Sequence, residues 1–225
     1  MRLPSFLLLL CLWGTQLNSV HANDAVTLTN KEGVSIQAIL LEYSPKDHIV
    51  EIRLTANNKR MKVKEDLFDD NSIQTIKDWY QLIAATRRID IRAERVSNKD
   101  GGRYYEIEFG SMAEAPVNQL RVEYQIPIKS IDVEIIKTSS GKGKKKRTNT
   151  KEIKHESTSV TSGSIDVGTI EPRGRATFST KVIPKKGPKG LNYPKGAYLK
   201  VYMGDQLIRE IETEPSVQQW VSKYK

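Results

Sequence analysis

The chain has 225 residues, 38% of them hydrophobic and 28% charged, with 36 Lys and Arg against 27 Asp and Glu and a net charge of +9. A single cysteine, Cys11, excludes an intrachain disulfide and a zinc site built from clustered cysteines. The length suffices for two small domains or one larger β-sandwich, and stability must come from burial.

Residues 1–22 read as a secretory signal peptide. Arg2 supplies the positive start, Leu3, Phe6 and the run Leu7-Leu8-Leu9-Leu10 lie in an apolar core that ends at Trp13, and Val20-His21-Ala22 is a small-residue exit. The core is too short to span a bilayer, and no second apolar stretch approaches that length. Cys11 follows the bulky Leu10, which argues against lipid modification at the thiol. Export predicts a secreted or periplasmic protein starting near Asn23, and removal of the leader takes the only cysteine with it. A disulfide-free exported chain fits a bacterial envelope.

From residue 26 to 55 the chain alternates in the manner of strands. Val34, Ile36, Ala38 and Leu40 share one face after the turn Asn30-Lys31-Glu32-Gly33. Tyr43-Ser44-Pro45-Lys46-Asp47 turns the chain, Val50, Ile52 and Leu54 resume the alternation, and a short strand passes through Met61 and Val63 after Ala56-Asn57-Asn58-Lys59. The period then changes. Ile73, Ile76, Trp79, Tyr80 and Ile83 recur at helical spacing, with Asn71 or Ser72 as the expected cap and an end near Ala85. Packing against the strands is the expected role of Trp79 and Tyr80.

Thr29-Asn30-Lys31-Glu32-Gly33 followed by Ile36-Gln37-Ala38, then Val50-Glu51-Ile52, Lys59, Met61, Val63 and Leu67, and finally Ile76 three residues before Trp79, form an ordered set. In order and spacing they resemble the first homology domain of the yeast endocytic clathrin adaptor, in the version that recurs in exported proteins of planctomycete and verrucomicrobial bacteria. The resemblance covers about sixty residues. It implies a small Src-homology-3-like barrel with a C-terminal helix over residues 23–86, and in such bacterial proteins a β-sandwich often follows. Leu28 stands where the family commonly has an aromatic residue, and no binding residue is carried over.

Beyond Arg87-Arg88 the alternation returns, which predicts a second unit over 87–225. Ile89, Ile91 and Ala93 oppose Asp90, Arg92 and Glu94; Tyr105, Ile107 and Phe109 oppose Tyr104, Glu106 and Glu108; Leu120, Val122, Tyr124 and Ile126 oppose Arg121 and Glu123. Further strands are expected at 131–136, 165–170, 176–182 and 197–203, then a tight turn at Met203-Gly204-Asp205-Gln206 into one more strand. Val217, Trp220 and Val221 predict a short helix at the end of the chain. The whole is mainly β: a small barrel, then an antiparallel sandwich of immunoglobulin or fibronectin type III kind.

Catalytic signatures are lacking in the sequence. His48 and His155 show no metal-ligand spacing, no GxSxG elbow occurs, and the glycines around Lys142 lack the spacing of a phosphate loop. Glu106 and Glu108 share a strand face and are expected to pair with cross-strand charges near Arg121 and Glu123. Asp69-Asp70-Asn71 lacks the ligand pattern of a calcium loop and is expected to lead into the helix. Tyr104, Tyr198 and Tyr202 are candidates for an outward aromatic row. These features predict a non-enzymatic binding or scaffolding protein without a cofactor or a bound metal.

Charge is localised. Residues 142–154 carry seven Lys and Arg against Glu152, and residues 181–200 carry six Lys and no acid. The first cluster lies in a segment, 137–163, that reads as a polar basic loop. Lys142, Lys144, Lys145, Lys146 and Arg147, with Lys185, Lys186 and Lys189, are the candidate contacts to a polyanionic envelope component: an acidic polysaccharide, a phosphate polymer or anionic lipid. The alternative partner is a protein. Export and the absence of interleaved aromatic residues in 142–154 argue against nucleic acid.

Overall fold

The computed structural model describes residues 24–140 and 147–224; the leader expected at 1–22, and Lys142, Lys144, Lys145 and Lys146, lie outside the described residues. The described chain is mainly β, built from antiparallel strands with a helix near its C-terminal end.

Strands β1 (Ala25–Thr29), β2 (Ser35–Ser44), β3 (Ile49–Leu54) and β4 (Arg60–Lys64) form an antiparallel meander. Its first turn is organised by Asn30, whose Oδ1 accepts from Val34 N at 2.8 Å and from Glu32 N at 3.1 Å. A 3-10 turn leads into helix α1 (Asp70–Ile83). The cap is Asp69, two or three residues earlier than expected: its carboxylate accepts from Ser72 N at 2.8 Å. Ser72 has another task, because its Oγ accepts from Thr29 N at 2.8 Å and ties the helix to β1. Ile76, Trp79 and Tyr80 are buried against the strands, and Tyr80 meets Tyr43 edge to face at 5.6 Å.

The boundary expected after residue 86 falls inside a π-helical turn, Ala84–Arg88, that runs directly into β5 (Ile89–Ser97). β5 pairs with β6 (Arg103–Ser111), and β6 pairs with β9 (Arg175–Ser179). The other sheet is organised around β7 (Val117–Ser140), a strand of 24 residues. One edge of β7 carries β8 (Arg147–Ile170), also 24 residues long. The other edge carries β12 (Tyr198–Met203) at residues 120–125 and β11 (Gly190–Pro194) at residues 128–131. β10 (Lys186–Gly187) and β13 (Gln206–Glu212) complete the sheet outward from β11 and β12.

Pro127 marks the changeover from β12 to β11. Its carbonyl accepts from Lys195 N at 2.9 Å, so its nitrogen faces the same edge, between the two partner strands, where a missing N–H removes no ladder bond. Gly190 permits the close approach of β11: its φ is +95°, and a Cβ there would stand 2.1 Å from the Ile131 carbonyl oxygen. The expected hairpin at Gly204-Asp205 joins β12 to β13, with Met203 opposite Gln206.

Two segments differ from the sequence reading. The strands expected around 120–126 and at 131–136 are one continuous strand. The segment 137–163, expected as a loop, has its described backbone in β7 and β8, which pair from Val117–Ile170 out to Ser140–Arg147. A ribbon exposed on both faces has no core side and hence no apolar alternation to announce it. Its β8 half, residues 147–156, is mostly charged and polar with Ile153 its one large aliphatic residue, and Ser and Val enter β8 only opposite the core part of β7.

Leu120, Val122, Tyr124 and Ile126 of β7 turn toward the apolar faces of β5 and β6, an arrangement that fits a β-sandwich. These residues belong to one contiguous buried cluster with Leu28, Ile52 and Trp79 of the first unit. On the outer face of the β7 sheet, α2 (Val217–Tyr224) covers Tyr198 with Val217 and Val221. The units are also joined by polar bonds. Gln81 of α1 donates to the Pro116 carbonyl at 2.8 Å and accepts from Asn118 N at 3.1 Å. Arg209 of β13 donates to the carbonyls of Thr86 at 2.6 Å and Ile89 at 3.1 Å, holding the π-helical turn to the second unit. Arg209→Met keeps the aliphatic stem and leaves those carbonyls without this donor. It is expected to lower unfolding stability by about 2 kcal/mol, seen as a lower urea midpoint at unchanged slope.

Candidate functional site

Of the two lysine-rich segments, 181–200 reaches the foot of the β7–β8 ribbon, and the described part of 142–154 lies further out along β8. The chain from Ile183 to Pro194 folds back beside β7: Ile183 and Arg103 exchange backbone bonds of 2.7 and 2.8 Å, and Asn192 N donates to the Lys185 carbonyl at 2.9 Å. Lys186 opens β10, and Lys189 occupies the two-residue turn between β10 and β11. All three lysines, Lys185, Lys186 and Lys189, are exposed. They therefore stand where β7 and β8 leave the body of the protein, at the base of the ribbon that leads toward Lys142, Lys144, Lys145 and Lys146. Arg147 opposes Ser140 at the outer end of the described ladder.

Lys185 and Arg103 flank a recess of about 220 Å³ that is also lined by Ser97, Asn192 and Tyr193. Two cationic side chains with hydroxyl and amide groups around a small volume suit a sulfate, phosphate or carboxylate group. Asn192 is held in place there, donating to the Pro184 carbonyl at 2.9 Å and sharing a 2.8 Å bond with Ser130. Arg103 escaped the sequence reading because it lies 82 residues before Lys185, and only the Arg103–Ile183 bridge brings them together. Lys129, on the outer face of β7, is occupied by an ion pair with Glu156 at 2.8 Å.

The remaining sequence candidates disperse. Glu106 and Glu108 lie on β6, in the sheet that does not contain Arg121. Glu108 pairs with Arg175 of β9 at 3.4 Å, and Glu106 accepts from Tyr104 at 3.3 Å. Arg121 pairs instead with its strand neighbour Glu123 and lies 4.5 Å from the ring centre of Tyr202. Tyr104, Tyr198 and Tyr202 make no common row, because Tyr104 belongs to the other sheet and Tyr198 is buried under α2. The Tyr198 hydroxyl donates to Glu210 at 2.5 Å, and burial together with that carboxylate pushes its pKa up to about 12.

His48 has a partner that sequence spacing did not reveal. Its Nδ1 lies 2.7 Å from Oε1 of Glu65, a carboxylate that is only 8% exposed, and Tyr43 donates its hydroxyl to Oε2 of the same group. Burial works against the charged form of Glu65. The hydrogen bonds from Tyr43 and His48, with Lys77 nearby, outweigh it and hold the carboxyl below its ordinary range. Burial and the Glu65 bond push the Tyr43 phenol above its own. The His48 side chain remains two-thirds exposed.

A cleft of about 620 Å³ lies between α1 and the start of β7 and is lined by Tyr43, Lys77, Asp78, Gln81 and Asn118 among others. Among the described residues Asp78 is its only acidic lining residue and no histidine lines it, and Gln81 is committed to the backbone bonds described above. Among the described residues no group of three His, Cys, Asp or Glu is arranged to hold a metal ion, and no helix is long and apolar enough to cross a membrane. No family model matches the chain, and no curated protein matches it.

Because the folded pKa of Glu65 lies below the unfolded value of about 4.3, its contribution to stability is present above that pH and is lost as pH falls through the folded value. Glu65→Gln is therefore expected to lower the urea midpoint at pH 7, and the gap to the parent protein should narrow by pH 3.

Proposed function

We propose that this chain is an exported, non-enzymatic binding or scaffolding protein of the cell envelope, secreted or periplasmic, that works through β-surfaces, with the β7–β8 ribbon and its base as the contacting part. Its first unit is taken as a small Src-homology-3-like barrel closed by α1, and its second as a sandwich of immunoglobulin or fibronectin kind. The four-stranded meander followed by a helix, and the two antiparallel sheets sharing a core, support that reading. The observation that carries the functional part is the ladder itself. β7 and β8 stay paired for nine rungs beyond Ile131, the last residue of β7 that a third strand covers. Nine rungs at strand spacing reach about 30 Å. A structure of that length adds little to the core, and its value lies in contact. The cleft between α1 and β7 gathers no acid–base pair among the described residues, which favours binding over catalysis.

A second reading, a polyanion-binding module, is favoured by the recess between Lys185 and Arg103 and by the exposed Lys186 and Lys189 beside it. An acidic polysaccharide, phosphate polymer or anionic lipid headgroup presents repeated charges that such a base can track. The test is retention on a sulfated polysaccharide matrix over a salt gradient. The parent protein is expected to elute late, and the triple variant K185Q/K186Q/K189Q markedly earlier, with an affinity about tenfold weaker at low salt. Equal elution of the two proteins overturns the polyanion reading.

A further inference from the structure

The inward face of β6 ends on a charge. Tyr105, Ile107 and Phe109 are buried in the core, and Arg103, which shares their face by the period of the strand, is half-buried at its start. The facing sheet changes in the same way. Ile126 and Ile128 of β7 are buried and apolar, and Ser130 after them is a buried hydroxyl bonded to Asn192. The recess between Arg103 and Lys185 occupies this polar end of the core.

Among the described residues no acid lines the recess, and neither Arg103 nor Lys185 makes an ion pair. A guanidinium drawn partly out of water without a counter-charge is costly, and a second cation beside it adds repulsion. The backbone nevertheless holds both in place. Arg103 is itself bridged to Ile183, two positions before Lys185. The Lys185 stem then lies over the β5–β6 turn at Gly101, whose φ is +71° and where a Cβ would stand 3.1 Å from Lys185 Cδ. Asn98 fixes that turn, accepting from Gly102 N at 2.7 Å. Two cations kept together with no acid between them form a preorganised place for an anion.

Size and donor geometry narrow the anion. A volume of about 220 Å³ lies below the range, from about 300 Å³ upward, that holds a drug-sized ligand, so the recess takes one group of a larger molecule. The guanidinium fork engages two oxygens of that group, which leaves a third for Lys185. A carboxylate has only two oxygens, whereas a sulfate or phosphate monoester presents three. The ribbon narrows the bearer of the group. It continues for nine rungs past Ile131, beside the recess, and holds a flat bilayer away from its own foot, where a polymer chain can still pass. Tyr193, 37% exposed at the rim, offers a ring to a sugar, and the exposed Lys186 and Lys189 stand next to it for further anionic groups.

We propose, building on the polyanion reading, that this recess is a defined site for one sulfate or phosphate monoester carried on a polysaccharide. Arg103 and Lys185 hold the group, and Arg103 sets the preference for it over a carboxylate.

Calorimetric titration with sulfated, phosphorylated and carboxymethylated maltohexaose, matched in charge, tests the site. The parent protein is expected to bind one or both esters about tenfold more tightly than the carboxymethylated sugar. R103K keeps the net charge and should abolish that preference. R103M should weaken ester binding about tenfold while its urea midpoint stays equal or rises, because the lost charge has no partner in the protein. K186Q/K189Q, outside the recess, should weaken all three sugars alike. Equal affinity of the parent for the three sugars overturns the site, as does a preference that survives in R103K. A lower urea midpoint in R103M together with unchanged ester binding makes Arg103 structural and overturns it too. So does binding of vesicles of phosphatidylglycerol in place of the sugars. The polyanion reading is judged separately: it stands when the parent is retained on the sulfated matrix without discriminating esters from carboxylates, and it falls with the site when the parent binds neither matrix nor sugars.

Discussion

The architecture of the second unit depends on the saturation of one strand. Along 120–131 the backbone of β7 is paired on both edges, by β8 on one side and by β12 and then β11 on the other. Its apolar side chains point into the core over the same stretch. That combination fixes register, because a slip by one residue would expose Leu120, Val122, Tyr124 and Ile126 and bury Arg121 and Glu123. Two details let the strand serve successive neighbours. Pro127 needs no donor at the changeover, and Gly190 offers no Cβ where β11 closes on Ile131.

Where the second edge loses its partner, the same strand changes character. From Asp132 to Thr138 its side chains are exposed, and among the described strands only β8 pairs with it. The ribbon is therefore a product of the core and is not stabilised by it in return. This asymmetry suits a contact element: the body supplies rigidity at the base, and the outer rungs remain available to another surface.

The two units do not behave as beads on a linker. A π-helical turn joins them, Ala84 and Ala85 within it are fully buried, and Arg209 of β13 binds the carbonyl oxygens of Thr86 in the turn and of Ile89 just after it. Helix α1 thus packs on the first meander and also organises the entry to β7 through Gln81. Forces applied at the ribbon have a direct path to the first unit through the shared core. The Tyr43–Glu65–His48 cluster, with Tyr43 against Tyr80 of that helix, knits the meander to the 3-10 turn, which gives it a structural role that the isolated histidine in the sequence did not suggest.

Much of this was legible in the order of residues. Period-two alternation located β2, β3, β5, β6 and the inner part of β7, because one face of each meets a core. Ile73, Ile76, Trp79, Tyr80 and Ile83 disclosed α1 for the same reason at a different period, and Gly204-Asp205 announced its hairpin. Local patterns of this kind are set by burial on one side and by backbone permissiveness at turns, both properties of neighbouring residues. What only the tertiary structure decided are the features without a local cause. Asp69 rather than Ser72 caps α1 because Ser72 is taken by Thr29, and Arg103 meets Lys185 because Ile183 bridges to β6. The polar run after Arg147 is a strand because β7 lies beside it, and no core-facing period could reveal that in a ribbon exposed on both faces. Pairing between distant segments depends on what each finds across the ladder, and that information is distributed over the whole chain.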